Sequence, residues 1–363
     1  MSKMFSSFLK RRPQEQNSKV IGRHLRAGDR VVLAPPGEIL ATLDRTASLG
    51  GLPFMPEMLA WFGRELTVAA RVEKICDTIS PIATRRMRNT VFLEDLRCDG
   101  SGHGRCQAEC RIYWKEAWLR PVTPGRETPP PDLVALNLLW RHATAGASQN
   151  TGIDSETIWS CQATDVQRAS TPLSVWDPRQ YWRELACGNV GLRRFIRVMA
   201  SAVGQTLLSK LGVARPRLPI DPSKKHDDSA PLRLRAGEWV EVRRAAEIAR
   251  TLNVHHKNKG MLFAAAEMLP ACGKTFQVRR RVERIVDERT GRMIELKNDC
   301  IVLEGMVCTG DVSHRRWFCG RQIYPYWREA WLRRVDGPEA RKDQWTGRPV
   351  IRHVETTPAS IAP

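Results

Sequence analysis

The sequence predicts an α+β protein in which two homologous, small, β-rich modules are joined by a helical middle segment. Three observations carry the prediction. First, residues 28–122 recur, diverged, at 237–335. Tyr-Trp-Lys-Glu-Ala-Trp-Leu at 113–119 returns as Tyr-Trp-Arg-Glu-Ala-Trp-Leu at 326–332, an offset of 213. Glu57-Met58-Leu59 returns as Glu267-Met268-Leu269, an offset of 210. A repeat this long must be a unit that buries its own core or packs on its twin. Second, each copy contains short runs that alternate apolar and polar residues, the period of a half-buried strand. Third, the unrepeated stretch between the copies holds a helix-start signal and an apolar stripe at helical spacing.

In chain order, residues 1–25 read as a flexible leader and 26–122 as the first module. Residues 123–132, with Pro129-Pro130-Pro131, form a stiff linker. The helical middle segment spans 133–218, a second linker spans 219–232, the second module spans 233–335, and 336–363 form a flexible tail. Within a module, Gly28-Asp29-Arg30-Val31-Val32-Leu33 reads as a strand, as does Gly237-Glu238-Trp239-Val240-Glu241-Val242. Glu38–Leu43, Glu247–Leu252 and Pro56–Phe62 read as short helices. Leu66–Ile75 and Thr90–Leu96 alternate as strands. Many short strands around one or two helical turns predict a small, strongly bent barrel. The opening Gly-acidic-x-Val pattern resembles the first strand of Src-homology-3-like and KOW-type barrels.

In the middle segment, Trp176-Asp177-Pro178 starts a helix, with Asp177 to cap it and Pro178 at its first position. Gly188-Asn189 ends that helix. A longer one follows over 191–211. Leu192, Phe195, Ile196, Met199, Val203 and Leu207 fall on one face, and Arg193, Arg194 and Arg197 fall elsewhere. The stripe is expected to pack on the modules. A basic amphipathic helix can also lie on a membrane surface.

Net charge is +19 and apolar content is 42%, so the chain is globular and strongly basic. The charge is spread along the chain, which fits a folded basic face. Such a face invites nucleic acid or another anionic partner, a protein included; a merely solvated Arg-rich surface is the plainer alternative. No apolar run approaches the roughly 18–20 residues of a membrane span. The start lacks the apolar core of a secretory signal, so a cytoplasmic location is expected. The ten cysteines are then expected to be reduced and available for metal or for burial.

Cys98, His103, Cys106 and Cys110 lie within thirteen residues, separated by four, two and three others. Glycines 100, 102 and 104 allow the tight turns of a chelating loop. Thiolate and imidazole are the donors that zinc prefers, and four of them close a tetrahedral site. Cys76 is a fifth candidate; with it in place of His103 the set becomes all-thiolate, which suits an iron–sulfur cluster. In the second copy Cys98 maps to Cys308 and Cys106 to Cys319, while Cys110 maps to Ile323 and Cys76 to Val286. A second, weaker site is therefore Cys308, His314 and Cys319, with Cys300 or Cys161 as a further ligand. A pair of structural thiols is the competing account.

Trp114, Trp118, Trp327 and Trp331 admit two roles. They can form a stacking platform for bases beside Arg279, Arg280 and Arg281, or they can be core. Core packing is the stronger expectation. Phosphate-binding Gly-rich loops, the Gly-x-Ser-x-Gly elbow and His-Glu-x-x-His are absent from the sequence.

The string Cys-Asp-Gly-x-x-His-Gly-x-Cys-x-x-x-Cys followed by Trp-Lys-Glu-Ala-Trp-Leu resembles that of a family of uncharacterised bacterial proteins with an internally duplicated module. Arg316-Trp317-Phe318-Cys319 and Trp176-Asp177-Pro178-Arg179-Gln180-Tyr181 fit the same resemblance, which spans nearly the whole chain and implies no activity. The residues themselves favour a non-enzymatic, metal-stabilised binding protein with a basic surface. Two alternatives stand beside it. One is a zinc or iron–sulfur enzyme or redox protein that uses the cysteine clusters. The other is a peripheral membrane protein held by the 191–211 helix.

Overall fold

The structure, a computed structural model, describes residues 24–337 except 81–82, 124, 126–128, 150–155, 175, 212–217, 219–229 and 314. Most of the leader, the second linker and the tail, together with His314, lie outside the described residues. The chain combines helices with antiparallel strands, an α+β arrangement.

The first repeat contains β1 (Arg30–Leu33), α1 (Pro36–Thr42), β2 (Leu66–Arg71), β3 (Ile75–Cys76), β4 (Thr84–Arg86), β5 (Thr90–Arg97), β6 (Arg111–Lys115) and β7 (Leu119–Pro121). The middle segment supplies α2 (Leu133–Gly146), β8 (Thr171–Leu173), α3 (Arg179–Ala186) and α4 (Leu192–Lys210). The second repeat contains β9 (Trp239–Val242), α5 (Ala245–Ala249), β10 (Thr275–Arg281), β11 (Arg284–Val286), β12 (Met293–Glu295), β13 (Ile301–Leu303) and β14 (Leu332–Arg334). The first sheet runs β6-β5-β2-β1-β7 and the second β13-β10-β9-β14. Both carry a bulge on their longest central contact, between Val68 and Ala70 and between Val278 and Arg280. Where β6 pairs Trp114 with Val91, the second repeat has a single bridge, Trp327 to Ile301.

The Trp-x-Glu-Ala-Trp run is neither one strand nor one helix. Trp114 lies in strand β6, Glu116–Trp118 form a 3₁₀ turn, and Glu329–Trp331 form another. The turn swings both indoles inward, and all four tryptophans are 0% exposed. The stacking-platform role predicted for Trp114, Trp118, Trp327 and Trp331 is thereby corrected: no ring face is open to a base. A buried indole usually finds a partner for its N–H; the second tryptophan of each pair does, while Trp114 and Trp327 Nε1 have none. Trp118 Nε1 donates to Thr42 Oγ1 at 3.1 Å, and Trp331 Nε1 donates to Thr251 Oγ1 at 2.9 Å. Phe54 meets Trp118 edge-on at 5.2 Å, and Phe263 meets Trp331 edge-on at 5.3 Å. The carboxylate between the tryptophans ties down the chain that enters each repeat. Glu116 accepts from Leu25 N and Arg71; Glu329 accepts from Leu234 N and Arg281.

The middle segment is less independent than its composition predicts. Leu139, Ala143, Cys161, Ala163 and Val166 join the core of the first repeat. Gln162 stitches them in: its Oε1 accepts from Tyr113 N at 2.8 Å, and its Nε2 donates to Tyr113 O and Pro53 O. β8 pairs with β4. α3 begins where Asp177 accepts from Arg179 N at 3.0 Å. On α4 the predicted stripe splits. Phe195, Val198, Met199 and Ala202 pack on Trp317 and Phe318 of the second repeat, whereas Leu192, Ile196, Val203 and Leu207 stay more than half exposed.

The repeats meet through reciprocal contacts. Cys106 Sγ accepts from Val286 N at 3.3 Å, and Cys319 Sγ accepts from Cys76 N at 3.1 Å. In the sequence Cys319 aligns with Cys106, and Cys76 with Val286, so a loop sulfur accepts from a strand N–H in both directions. Buried Arg321 reinforces one side, reaching Thr78 Oγ1 and Glu288 Oε1 at 2.9 Å each.

Candidate metal centre

Local backbone chemistry builds the loop that follows β5. Cys98 N donates to Cys110 O at 2.8 Å and closes its neck. Gly100 turns the chain with φ +76°, and a Cβ there would overlap the Cys106 carbonyl. His103 N then bonds Gly100 O at 3.1 Å, which folds the imidazole back toward Cys98. The second repeat draws the same loop. Cys308 N donates to Ile323 O at 2.8 Å, and Gly310 has φ +72° against Cys319.

Three donors converge at the first loop. Cys98 Sγ lies 3.3 Å from Glu57 Oε1 and 3.5 Å from His103 Nε2, and Glu57 Oε1 lies 3.7 Å from His103 Nδ1. Glu57, Cys98 and His103 are the one group of ligating side chains among the described residues whose donor atoms all lie within 4.8 Å. Glu57 comes from the 3₁₀ helix Pro56–Trp61. His103 is 2% exposed and Glu57 8%. Glu57 Oε2 and His103 Nδ1 are buried with no hydrogen-bond partner. Gly102 has no room for a side chain, because its Cβ would come within 2.5 Å of Glu57 Oε2.

Burial governs the protonation of this group. It pushes the Glu57 carboxyl up to about 7 and the Cys98 thiol well above the usual thiol range, Glu57 adding to the latter. It holds the His103 imidazole down at about 4, neutral and with a free lone pair. Such a set is a poor home for protons and charges alone. A divalent ion would take up the lone pairs, displace the thiol proton and neutralise the carboxylate.

The predicted ligands divide. Cys98 and His103 come together. Cys106 and Cys110 line the same cavity of about 80 Å³, as does Cys161, but they stand outside the compact group. Cys106 is turned to Val286 N. Cys76 leaves the cluster altogether and meets Cys319. In the second repeat Cys308 faces Glu267, and Ser313 Oγ, at the position of His103, bonds Glu267 Oε1 at 2.7 Å. His314, the imidazole predicted for this loop, lies outside the described residues. Cys300 is buried instead among Val282, Val302 and Tyr324. Arg279 and Arg280, predicted to line a binding surface, both pair with Glu109, and Arg281 pairs with Glu329. Arg279 is thereby largely taken up within the molecule, whereas Arg280 and Arg281 stay about a third exposed, at 34% and 35%.

Glu57 escaped the local spacing because it lies 41 residues before Cys98. Its signal was the recurrence of Glu57-Met58 as Glu267-Met268 in an apolar turn, where a buried carboxylate needs a partner. Comparison with family models, with curated proteins and with solved structures finds no match to this chain. No helix among the described residues is long and apolar enough to cross a membrane.

Proposed function

We propose that this is a non-enzymatic binding protein stabilised by one metal ion, most simply zinc, held by Glu57, Cys98 and His103. One observation carries this reading: three donors of the types zinc uses converge in the interior, and two of their polar atoms lack any other partner. An unpaired polar atom in a buried site costs about 1–3 kcal/mol, which an ion would offset. The thiols of Cys106, Cys110 and Cys161 border the same cavity and are the nearest sources of a fourth donor. On this account the ion staples the loop after β5 to the 3₁₀ helix, a structural task and not a chemical one. The two repeats are read as modules of common origin, each a small bent barrel of the Src-homology-3-like kind.

The partner is inferred from charge. With +19 overall, and with Arg244, Arg250, Lys257, Lys259 and Lys274 exposed on the second repeat, an anionic polymer such as nucleic acid is the fitting ligand. Phosphate contacts make such binding fall steeply with salt. Retention of labelled DNA and RNA at about 50 and 200 mM salt tests it. Retention that weakens by an order of magnitude or more supports the reading; no retention at either salt removes it. Elemental analysis tests the metal separately. Iron with sulfide in place of zinc would move the assignment to a cluster on the cavity thiols.

A further inference from the structure

The reciprocal contact between the repeats is symmetric in backbone but not in side chains. On one side the loop thiol Cys106 meets Val286; on the other, Cys319 meets Cys76, with Cys76 N 3.1 Å from Cys319 Sγ. Both cysteines are free, and both are buried. From the described structure we propose that Cys76 and Cys319 form a redox-active thiol pair, which a peroxide closes into a covalent cross-link between the two repeats.

The surroundings favour a thiolate at this point. The Cys319 thiol, by hydrogen bonding, and then Arg321 and Arg316 hold the Cys76 thiol below the usual thiol range in spite of its burial. Arg321 also donates to Cys76 O at 3.3 Å. Lys74, 1% exposed, stands on the Cys319 side, where burial pulls its ammonium down to about 7 against the opposing pull of Glu184 and Cys319. Thiolate character, access for the oxidant and an adjacent second thiol are what a reversible thiol switch needs; Cys76 is 7% and Cys319 6% exposed, so the oxidant must be as small as hydrogen peroxide.

The chemistry balances with a hydroperoxide as the two-electron oxidant. The Cys76 thiolate attacks a peroxide oxygen; the S–O bond forms, the O–O bond breaks, and hydroxide or alkoxide leaves with a proton as water or alcohol. Cys319 sulfur then attacks the sulfenic sulfur. The S–S bond forms, the S–O bond breaks, and water leaves with the Cys319 proton. A dithiol reverses the reaction, its own sulfurs becoming the disulfide. The pair is separate from Glu57, Cys98 and His103, so the inference stands apart from the metal reading.

The test uses the intact, reduced chain exposed to stoichiometric hydrogen peroxide, alkylated and digested without reductant for mass spectrometry. The expected result is one dominant linked peptide pair joining Cys76 to Cys319, at least tenfold above any other cysteine pair and lost on treatment with dithiothreitol. The Cys76→Val variant carries the residue found at the same place in the second repeat, so it should fold. It should give no linked pair and leave Cys319 alkylated, with its metal content unchanged. Recovery of wild-type Cys76 and Cys319 as alkylated thiols or as sulfinic acids, without the linked peptide, would overturn the proposal. So would a dominant linkage among Cys98, Cys106, Cys110 and Cys161.

Discussion

At the scale of single residues, the tryptophans and their threonine partners show how the repeat motif works. Trp118 is fully buried, so Trp118→Ala should cost about 3–5 kcal/mol. Thr42→Val keeps the shape but leaves the indole N–H unpaired, and should cost about 1–3 kcal/mol in a urea titration. Thr251→Val should do the same beneath Trp331. Glu184 offers a test by pH. Its Oε2 accepts from Asn189 at 2.6 Å, and burial pushes its carboxyl up to about 8, with Glu73 adding to the rise, while burial pulls neighbouring Lys74 down to about 7. An acid whose folded value lies above its unfolded value of 4.5 weakens the fold as pH rises, because only the unfolded chain releases the proton. Glu184→Gln removes that penalty. Its stability advantage over the wild type should therefore grow between about pH 5 and about pH 8 and then level off. Urea midpoints of the two proteins across that window will check it. The inward tryptophans were legible in the sequence, since two large indoles and a carboxylate recur at fixed spacing. Their threonines were not, because a hydrogen bond across 76 residues leaves no local pattern.

At the scale of elements, the cysteine loop depends on one backbone conformation. Gly100 sits at φ +76° with the Cys106 carbonyl where a side chain would go. Gly100→Ala should lose more than the roughly 1–2 kcal/mol of the left-handed strain alone, because the clash adds to it. The matching Gly310→Ala should also destabilise, since its Cβ would stand 2.7 Å from Cys319 N. Thermal melts of both variants are the check. Helix α1, strand β5 and helices α3 and α4 were readable, because Pro, Asp and Gly mark their ends and apolar periodicity marks their faces. The single bridge at Trp327 in place of a full strand was not readable: in the second repeat the loop between Cys308 and Cys319 is three residues longer, and the sequence before Trp327 contains Pro325. The packing face of α4 was half readable. Helical spacing identified an apolar stripe, but only the position of Trp317 and Phe318 decides which part of it is covered.

At the scale of the whole molecule, the two similar stretches of sequence meet in a reciprocal contact. That contact brings the loop cysteines of one repeat against strands β3 and β11 of the other, which no spacing rule within a repeat reveals. Arg321, 4% exposed, holds Glu288, Thr78 and Cys76 O together across it. Arg321→Ala should destabilise the fold by about 3 kcal/mol, as expected when one partner of a buried ion pair is removed. The same geometry places Cys98, Cys76 with Cys319, and Cys300 in distinct surroundings, which their clustering in the sequence does not reveal. The central claim is that Glu57, Cys98 and His103 hold a single ion that fixes the first repeat. Elemental analysis of the purified chain, beside Cys98→Ser and Glu57→Gln, tests it most directly. The account predicts about one zinc per wild-type chain and an affinity at least roughly 100-fold weaker in either variant, given that even residues that merely orient a ligand contribute about 10–100-fold. A wild-type chain without bound metal, whose melting temperature is unmoved by added zinc or by a chelator, would contradict it.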